Sequence, residues 1–407
     1  MIARRFLGIY RAAYSGLPPD LWLLALVALV NRAGSMVLPF VALYLTAERG
    51  FTTREAGQIV ALYGIGAVVG AYAGGWLSDR IGAIRTQQAS LALGGVGFLV
   101  LGGLRDRLGI AVAMFVVSAI VEAFRPAVMT SIAERASPKQ KARAFALLRL
   151  AANLGFGIGP ALGGVLASHS YHWLFVGDAA TCWAAALLLA VLPLGGRRRS
   201  PEASSEERRR RSPWRDGPFL AMIGLTVVLA SCLFQFFSTL PLYFREEIGL
   251  PESRIGALLS LNALTIVAFE MVLIHAVRDL DRMRLSGAGA FLVCAGFALV
   301  PHGTALGYLA LTILVWTLGE MLVLPILNVV AAERAGPGFE GQYMGLYAMA
   351  YSIAFILAPV TGTFVYERLG STALWHGMGV VGLILGLSFV ALSRFFRPGP
   401  RRKTIEG

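Results

Sequence analysis

GGWLSDRIGAIRT, residues 74–86, closes an apolar run of about twenty residues. An apolar run ordinarily ends on whatever polar residues come next. This one ends on Asp79 and Arg80, set between Gly75 and Gly82, with Arg85 behind. One acid, two bases and two glycines at such spacing suggest a contact made at that helix end, and the rest of the chain says where that end lies.

The 407 residues are 57% hydrophobic and only 14% charged, with a mean hydropathy of +0.68. A span needs about 20 mostly apolar residues to cross roughly 30 Å of hydrocarbon. Twelve stretches qualify: 20–46, 54–79, 84–104, 108–134, 140–168, 172–194, 217–247, 252–277, 283–301, 305–333, 339–366 and 373–397. Gly and Ala dominate them, as expected where membrane helices approach closely. The expectation is an all-α membrane protein of twelve helices.

Charge placement orients it. Of the 36 Lys and Arg, seven fall in the loops opposite the N-terminus: Arg49, Arg54, Arg105, Arg107, Arg245, Arg254 and Arg368. Arg32 and Arg125 lie inside spans, and the rest are on the side of the N-terminus. The positive-inside bias puts both termini in the cytoplasm, in a bacterial inner membrane. The net charge of +13 is thus a topology signal, and no nucleic-acid partner is expected. The first twenty residues lack the short apolar core and small-residue cleavage site of a signal peptide. Cys182, Cys232 and Cys294 all lie within spans and suggest no disulfide framework. There is no Walker-type phosphate loop, and the five histidines form no metal-ligand spacing. No metal, no cofactor and no enzymatic chemistry are expected.

Residues 195–216, GGRRRSPEASSEERRRRSPWRD, read as a solvated linker. It separates an N-terminal six-helix bundle, 1–194, from a C-terminal one, 217–407. A constant shift of 199 residues relates the two. It aligns Tyr44 with Tyr243, Gly50 with Gly249, Gly57 with Gly256 and Arg85 with Arg284. It also aligns Gly97-Phe98 with Gly296-Phe297, Pro126 with Pro325, Glu134-Arg135 with Glu333-Arg334, Pro138 with Pro337, Pro160 with Pro359 and Gly163 with Gly362. Prolines and charged pairs in one ungapped register indicate an internal repeat. Six helices per repeat make the halves parallel, with substrate expected near midplane between them.

The opening stretch, at the cytoplasmic end of helix 2, resembles the Gly-x-Leu-x-Asp-Arg-x-Gly signature of the major facilitator superfamily through Gly75, Leu77, Asp79, Arg80 and Gly82. Ala83 and Ile84 stand where the family usually has two basic residues. In helix 5, GFGIGPALGG resembles the superfamily's antiporter motif through Gly155, Gly159, Pro160, Gly163 and Gly164. The resemblance implies that helix 2 packs on helix 11 across the halves. Asp79 would then latch the cytoplasmic side against the helix 11 amides near Gly341 and Gln342, with Arg80 or Arg85 pairing with Glu134. The bland alternative is a solvated, positive-inside loop. For the helix 5 glycines it is plain packing with a kink at Pro160. GEMLVLP, 319–325, and FRP, 124–126, are similar to helices 10 and 4 of proton-dependent oligopeptide transporters.

Charges at the bilayer centre cost about 2.5–3.5 kcal/mol each, so they imply a partner or a cavity. By resemblance, helices 1, 4, 7 and 10 line the cavity. Arg32, Glu122 and Glu320 each lie about 12 or 13 residues from the cytoplasmic end of their helix, roughly 18–20 Å deep at 1.5 Å per residue. Arg125 shares a face with Glu122. Asn31, Gln235 and Asn328 add uncharged polar groups, and these residues with the two arginines form the expected substrate cavity. Glu320 and Glu122 are the candidate proton carriers. For Glu122 the alternative is a permanent ion pair with Arg32 or Arg125. Arg149 on helix 5 and Glu270 on helix 8 lie at matching depth, each without an opposite charge three or four residues away on its own helix within the apolar run. They are expected to meet as a cytoplasmic gate, unless Arg149 snorkels to the headgroups.

These readings converge on a monomeric secondary transporter with small-molecule substrate, protons and lipids as partners and the proton gradient as energy source. The leading expectation is proton-coupled export of small amphipathic compounds by alternating access. A peptide-like proton-coupled transporter is the runner-up, and an uncoupled receptor or lipid scramblase is the rival from another class.

Overall fold

The computed structural model describes residues 16–137, 140–191, 213–277, 280–335 and 340–396. It is all-α, with twelve long helices in chain order. They are α1 (Pro19–Glu48), α2 (Thr53–Ile81), α3 (Ala83–Gly103), α4 (Arg107–Glu122, then Phe124–Arg135), α5 (Lys141–His169) and α6 (His172–Val191). The second set is α7 (Gly217–Glu246), α8 (Glu252–Val277), α9 (Arg282–Leu299), α10 (Leu306–Ala335), α11 (Glu340–Leu369) and α12 (Ser371–Leu392). Among the described residues eleven helices are long and apolar enough to cross a membrane. The twelfth, α3, has the length but spends its first turns on Arg85, Thr86, Gln87 and Gln88. Most of the proposed linker lies outside the described residues.

The ends are written locally. Thr52 and Glu55 form a reciprocal capping box that starts α2. Asp106, Asp216 and Asp281 each accept a backbone N–H three residues on, at the starts of α4, α7 and α9. Gly82 joins α2 to α3 alone, at φ +92° and ψ 147°, a conformation close to a region used essentially by glycine, costing on the order of 1–3 kcal/mol for a residue with a Cβ. Three helices break just before a proline: α1 at Gly34–Met36 before Pro39, α4 at Ala123 before Pro126, and α7 at Phe234–Ser238 before Pro241. A proline removes the N–H that residue i−4 would use and crowds its carbonyl, so each break lies on or beside that residue.

Contacts between helix ends define two faces. At one, the Arg334 guanidinium donates to Asp216, at 2.7 and 2.9 Å, and to the Phe395 carbonyl. The Tyr343 hydroxyl donates to Asp216 at 3.1 Å, and the Gln140 amide donates to the Gly16 carbonyl at 3.0 Å. This terminal face therefore gathers the starts of α1, α5, α7 and α11 and the ends of α10 and α12. At the opposite face Arg107 pairs with Glu55, and the Tyr171 hydroxyl donates to Glu252 at 2.8 Å.

Glycines set the tightest packing. Gly66, Gly70 and Gly74 of α2 lie against the backbone carbonyls of Phe115, Ala119 and Ala123 of α4, so that a Cβ at any of them would overlap backbone. The two most extensive seams between the halves are α2 with α11 and α5 with α8. In one, Gly57 lies against the Pro359 carbonyl; in the other, Gly256 lies against the Pro160 carbonyl. The shift of 199 residues turns each pair into the other, so the repeat read in the sequence is also the repeat of the inter-half contact. The same offset relates the Gly97–Val117 contact to Gly296–Trp316. The opposite end of the α2–α11 seam is closed further by the Arg54 N–H, which donates to Glu367 at 2.5 Å.

Candidate functional site

The break in α1 is the centre of the N-terminal half. Gly155, Gly159 and Gly163, one stripe of the α5 motif, face Arg32, Ser35 and Met36 at that break. A Cβ at these positions would stand 2.7 Å from the Arg32 Cβ, 3.0 Å from the Ser35 carbonyl oxygen and 3.1 Å from the Met36 Cβ. The other side of the motif, Pro160 and Gly164, faces Glu252 and Gly256 of α8. The motif thus seats a broken helix on one side and the other half of the molecule on the other.

Beside the break lies a cavity of about 50 Å³, room for about three waters. Asn31, Arg32, Glu122 and Arg125 line it, together with Tyr63, Phe98, Phe124, Asp178 and Cys182. The sequence brought the first four together; Asp178 and Tyr63 were missed. Among the described residues no ion pair within 4.0 Å joins Arg32, Glu122 and Arg125, so neither permanent pair considered for Glu122 is formed.

Glu320 does not belong to that cavity. It accepts from the Asn262 side-chain amide of α8 at 2.8 Å, and the same amide donates to the Thr317 hydroxyl at 3.0 Å. Asn262 thus ties Glu320 to α8, and Glu320 is not among the residues that line the cavity with Arg32, Glu122 and Arg125.

Arg149 and Glu270 meet across the α5–α8 seam at 2.5 Å. The Glu270 side chain is 13% exposed and the Arg149 side chain 48%, so a buried acid is held by a base that keeps access to solvent. On α11 the Tyr347 and Tyr351 hydroxyls lie 2.7 Å apart, and Tyr347 donates to the Leu324 carbonyl of α10. Towards the middle of the molecule an aromatic cluster joins the halves. Phe156 lies 5.7 Å from Phe237, Phe234 lies 5.2 Å from Phe355, and Tyr63 lies 6.3 Å from Phe355, between ring centroids.

Two expectations are corrected. Gln235 is only 2% exposed, and its amide is used up inside the fold. It donates to the Ser231 and Ala358 carbonyls and accepts from Ser238 and Thr239. It braces the break of α7 against α11 and is not among the residues lining the cavity beside the α1 break. Gly75 makes no close approach, because a Cβ there would meet nothing within 4 Å among the described residues. One residue is about 100° of helix rotation, and Gly74 holds the packing stripe. Arg80 stacks on Trp76, 4.1 Å from the ring centroid. Among the described residues neither Arg80 nor Arg85 forms an ion pair with Glu134, which is engaged elsewhere. The side chains of Asp79, Gly341 and Gln342 lie outside the described residues. Asn328 is exposed on α10.

Known proteins agree with this architecture. The chain is 25% identical over 393 residues to the MFS-type transporter YqjV of Bacillus subtilis, covering 92% of this chain and 93% of the relative. It is 22% identical over 374 residues to the multidrug resistance protein MdtH of Aeromonas salmonicida, covering 89% and 92%. A POT family transporter solved in complex with a thioalcohol-conjugated peptide superposes with a TM-score of 0.76 at 18% identity, covering 95% of this chain and 98% of that one, which shows the shared fold. Residues 21–359 match the sequence profile of the Major Facilitator Superfamily, and the chain is a multi-pass membrane transporter of that superfamily, not an enzyme.

Proposed function

We propose that this transporter exports small amphipathic compounds in exchange for protons, by rocking its two halves about the α2–α11 and α5–α8 seams. The observation that carries the reading is Glu320. It is a carboxyl within a membrane span, with no base in ion-pair contact among the described residues and a single amide holding it. A charge so placed is costly, and taking up a proton relieves the cost. The aromatic cluster between the halves offers apolar faces to an amphipathic molecule. Arg149–Glu270 ties the α5–α8 seam nearer the terminal face and serves as a gate. Asp79 adds a latch at the α2 end. The terminal face is cytoplasmic, the membrane is the bacterial inner membrane, the working unit is a monomer, and no cofactor beyond the proton gradient takes part. The relative MdtH is named for multidrug resistance, which fits export of such compounds.

A second reading has its own observation. Arg32 and Arg125 line one cavity together with Glu122 and Asp178, and among the described residues neither arginine is in an ion pair within 4.0 Å, which leaves both free to meet the anionic end of a peptide-like molecule. Proteoliposomes with an internal pH dye decide between the readings. Addition of a cationic amphipathic dye should drive protons out of dye-loading vesicles under export by antiport. Proton entry together with a dipeptide supports the second reading, and no proton movement with any of them rejects coupling.

A further inference from the structure

Asp178 is an acid that the transport cycle above leaves unused. It sits about two turns into α6 and is 2% exposed. Its carboxylate accepts the backbone N–H groups of Met36 at 2.8 Å and Val37 at 3.3 Å. These amides stand at the break in α1: the Met36 N–H is shared between Asp178 and the Gly34 carbonyl, also at 2.8 Å, and the Val37 N–H begins the segment beyond the break. The neighbouring side chains leave α1 little freedom there. Thr181 of α6 fills the space a Cβ on Gly34 would need, and the Met36 sulfur lies against Gly177. Beyond the break, the segment Val37–Leu43 packs against Thr239–Glu246 of α7, closing the opposite face. One carboxylate therefore fixes the bend on which that closure hangs.

Asp178 also borders the cavity. The titratable and charged groups around it are Arg32 from α1, Tyr63 from α2, Glu122 and Arg125 from α4, and Cys182 from its own helix. The α5 surface against the break presents the glycines 155, 159 and 163. Among the described residues no base lies within ion-pair distance of Asp178. The ionised group is held by two backbone N–H donors alone.

We propose that Asp178 is a second proton-accepting group of this transporter, one that pins the bend of α1 while ionised and releases it when protonated. The proposal rests on the alternating-access reading above. A proton delivered by cavity water adds to one carboxylate oxygen. That oxygen becomes a hydroxyl, a poorer acceptor that now needs a partner for its own proton. Two charge-assisted hydrogen bonds to α1 become one neutral bond. The segment Val37–Leu43 is then free to leave α7, and the opposite face opens.

The test is hydrogen–deuterium exchange of the segment 36–43 in the full-length protein in detergent, corrected for the intrinsic pH dependence of exchange. In the unmodified chain, protection should fall about tenfold between about pH 7.5 and about pH 5.5, the size expected when one charge-assisted hydrogen bond is lost. Asp178→Asn should be poorly protected at both values. Asp178→Glu should keep a pH-dependent protection, which decides the matter if the amide variant does not fold. Protection in the unmodified chain that ignores pH makes Asp178 a purely structural brace and overturns the proposal. So does a pH response that survives in Asp178→Asn, because it would belong to another group. Failure of the parent reading looks different: no substrate-dependent proton flux in vesicles, whatever the exchange shows.

Discussion

Separating Arg149 from Glu270 should loosen the terminal end of the α5–α8 seam. Two unit charges about 4 Å apart attract by about 4 kcal/mol at the effective dielectric of a protein surface. Arg149 is nearly half exposed, so solvent screening cuts this to about 1–2 kcal/mol, a factor of about 5–30 in the balance between closed and open forms. Arg149→Glu and Glu270→Arg should each raise the labelling rate of a cysteine placed at Met349, on the α11 surface, by about that factor, and each should slow transport. The exchanged pair, carrying both substitutions, should recover most of the slow labelling and part of the transport. The assay is maleimide labelling in right-side-out and inside-out vesicles, scored as a double-mutant cycle. Losses that simply add in the exchanged pair would refute the gate. They would mean that the contact is a by-product of packing along Gly157 and Gly164.

Asp79→Asn should raise accessibility from the cytoplasmic side of the cavity, and unchanged labelling of a folded mutant would retire the latch. Acid should act on the α7–α10–α12 cluster at the terminal face. The Arg334 guanidinium holds the Asp216 carboxyl below the usual carboxylate range, against the opposing pull of partial burial. Because the folded value is depressed, the stabilisation is fully present above the unfolded value of about 3.9 and is lost as pH falls through the lower folded value. Tm in detergent should therefore stay level from about pH 7 to about pH 5 and drop only below about pH 4. Asp216→Asn should lower Tm at neutral pH and flatten the acid limb, and an unaltered limb would remove Asp216 from the account.

The twelve helices and the repeat were legible because both are written in one dimension. Apolar length marks each span, and an ungapped offset carries Pro160 onto Pro359 and Gly57 onto Gly256. Residues read from depth alone fared differently. Depth placed Arg149 and Glu270 at one level, and packing then put them in contact. Depth also placed Glu320 level with Arg32, but it gave no azimuth, and Asn262 turns Glu320 toward α8. Gln235 looked like a cavity residue because a polar side chain within a span needs a partner. Its partners are the carbonyls and hydroxyls around the α7 break and on α11, and such local satisfaction has no spacing of its own in sequence. Asp178 was passed over for a related reason. Its donors are backbone amides 142 and 141 residues away, and backbone leaves no residue-type signal. A sharper reading was available there, since Gly34, Ser35 and Pro39 announce a broken helix whose freed amides must find an acceptor.

The central claim, that proton binding at Glu320 drives transport, is tested most directly by Glu320→Gln in proteoliposomes. The amide keeps the shape of the side chain and a partner for Asn262 but cannot carry a proton as the acid does. Transport driven by an imposed pH gradient should vanish, while substrate exchange across equal pH, and binding measured by thermal shift, should persist. A variant that still responds to the gradient like the unmodified protein would contradict the account and place the proton elsewhere.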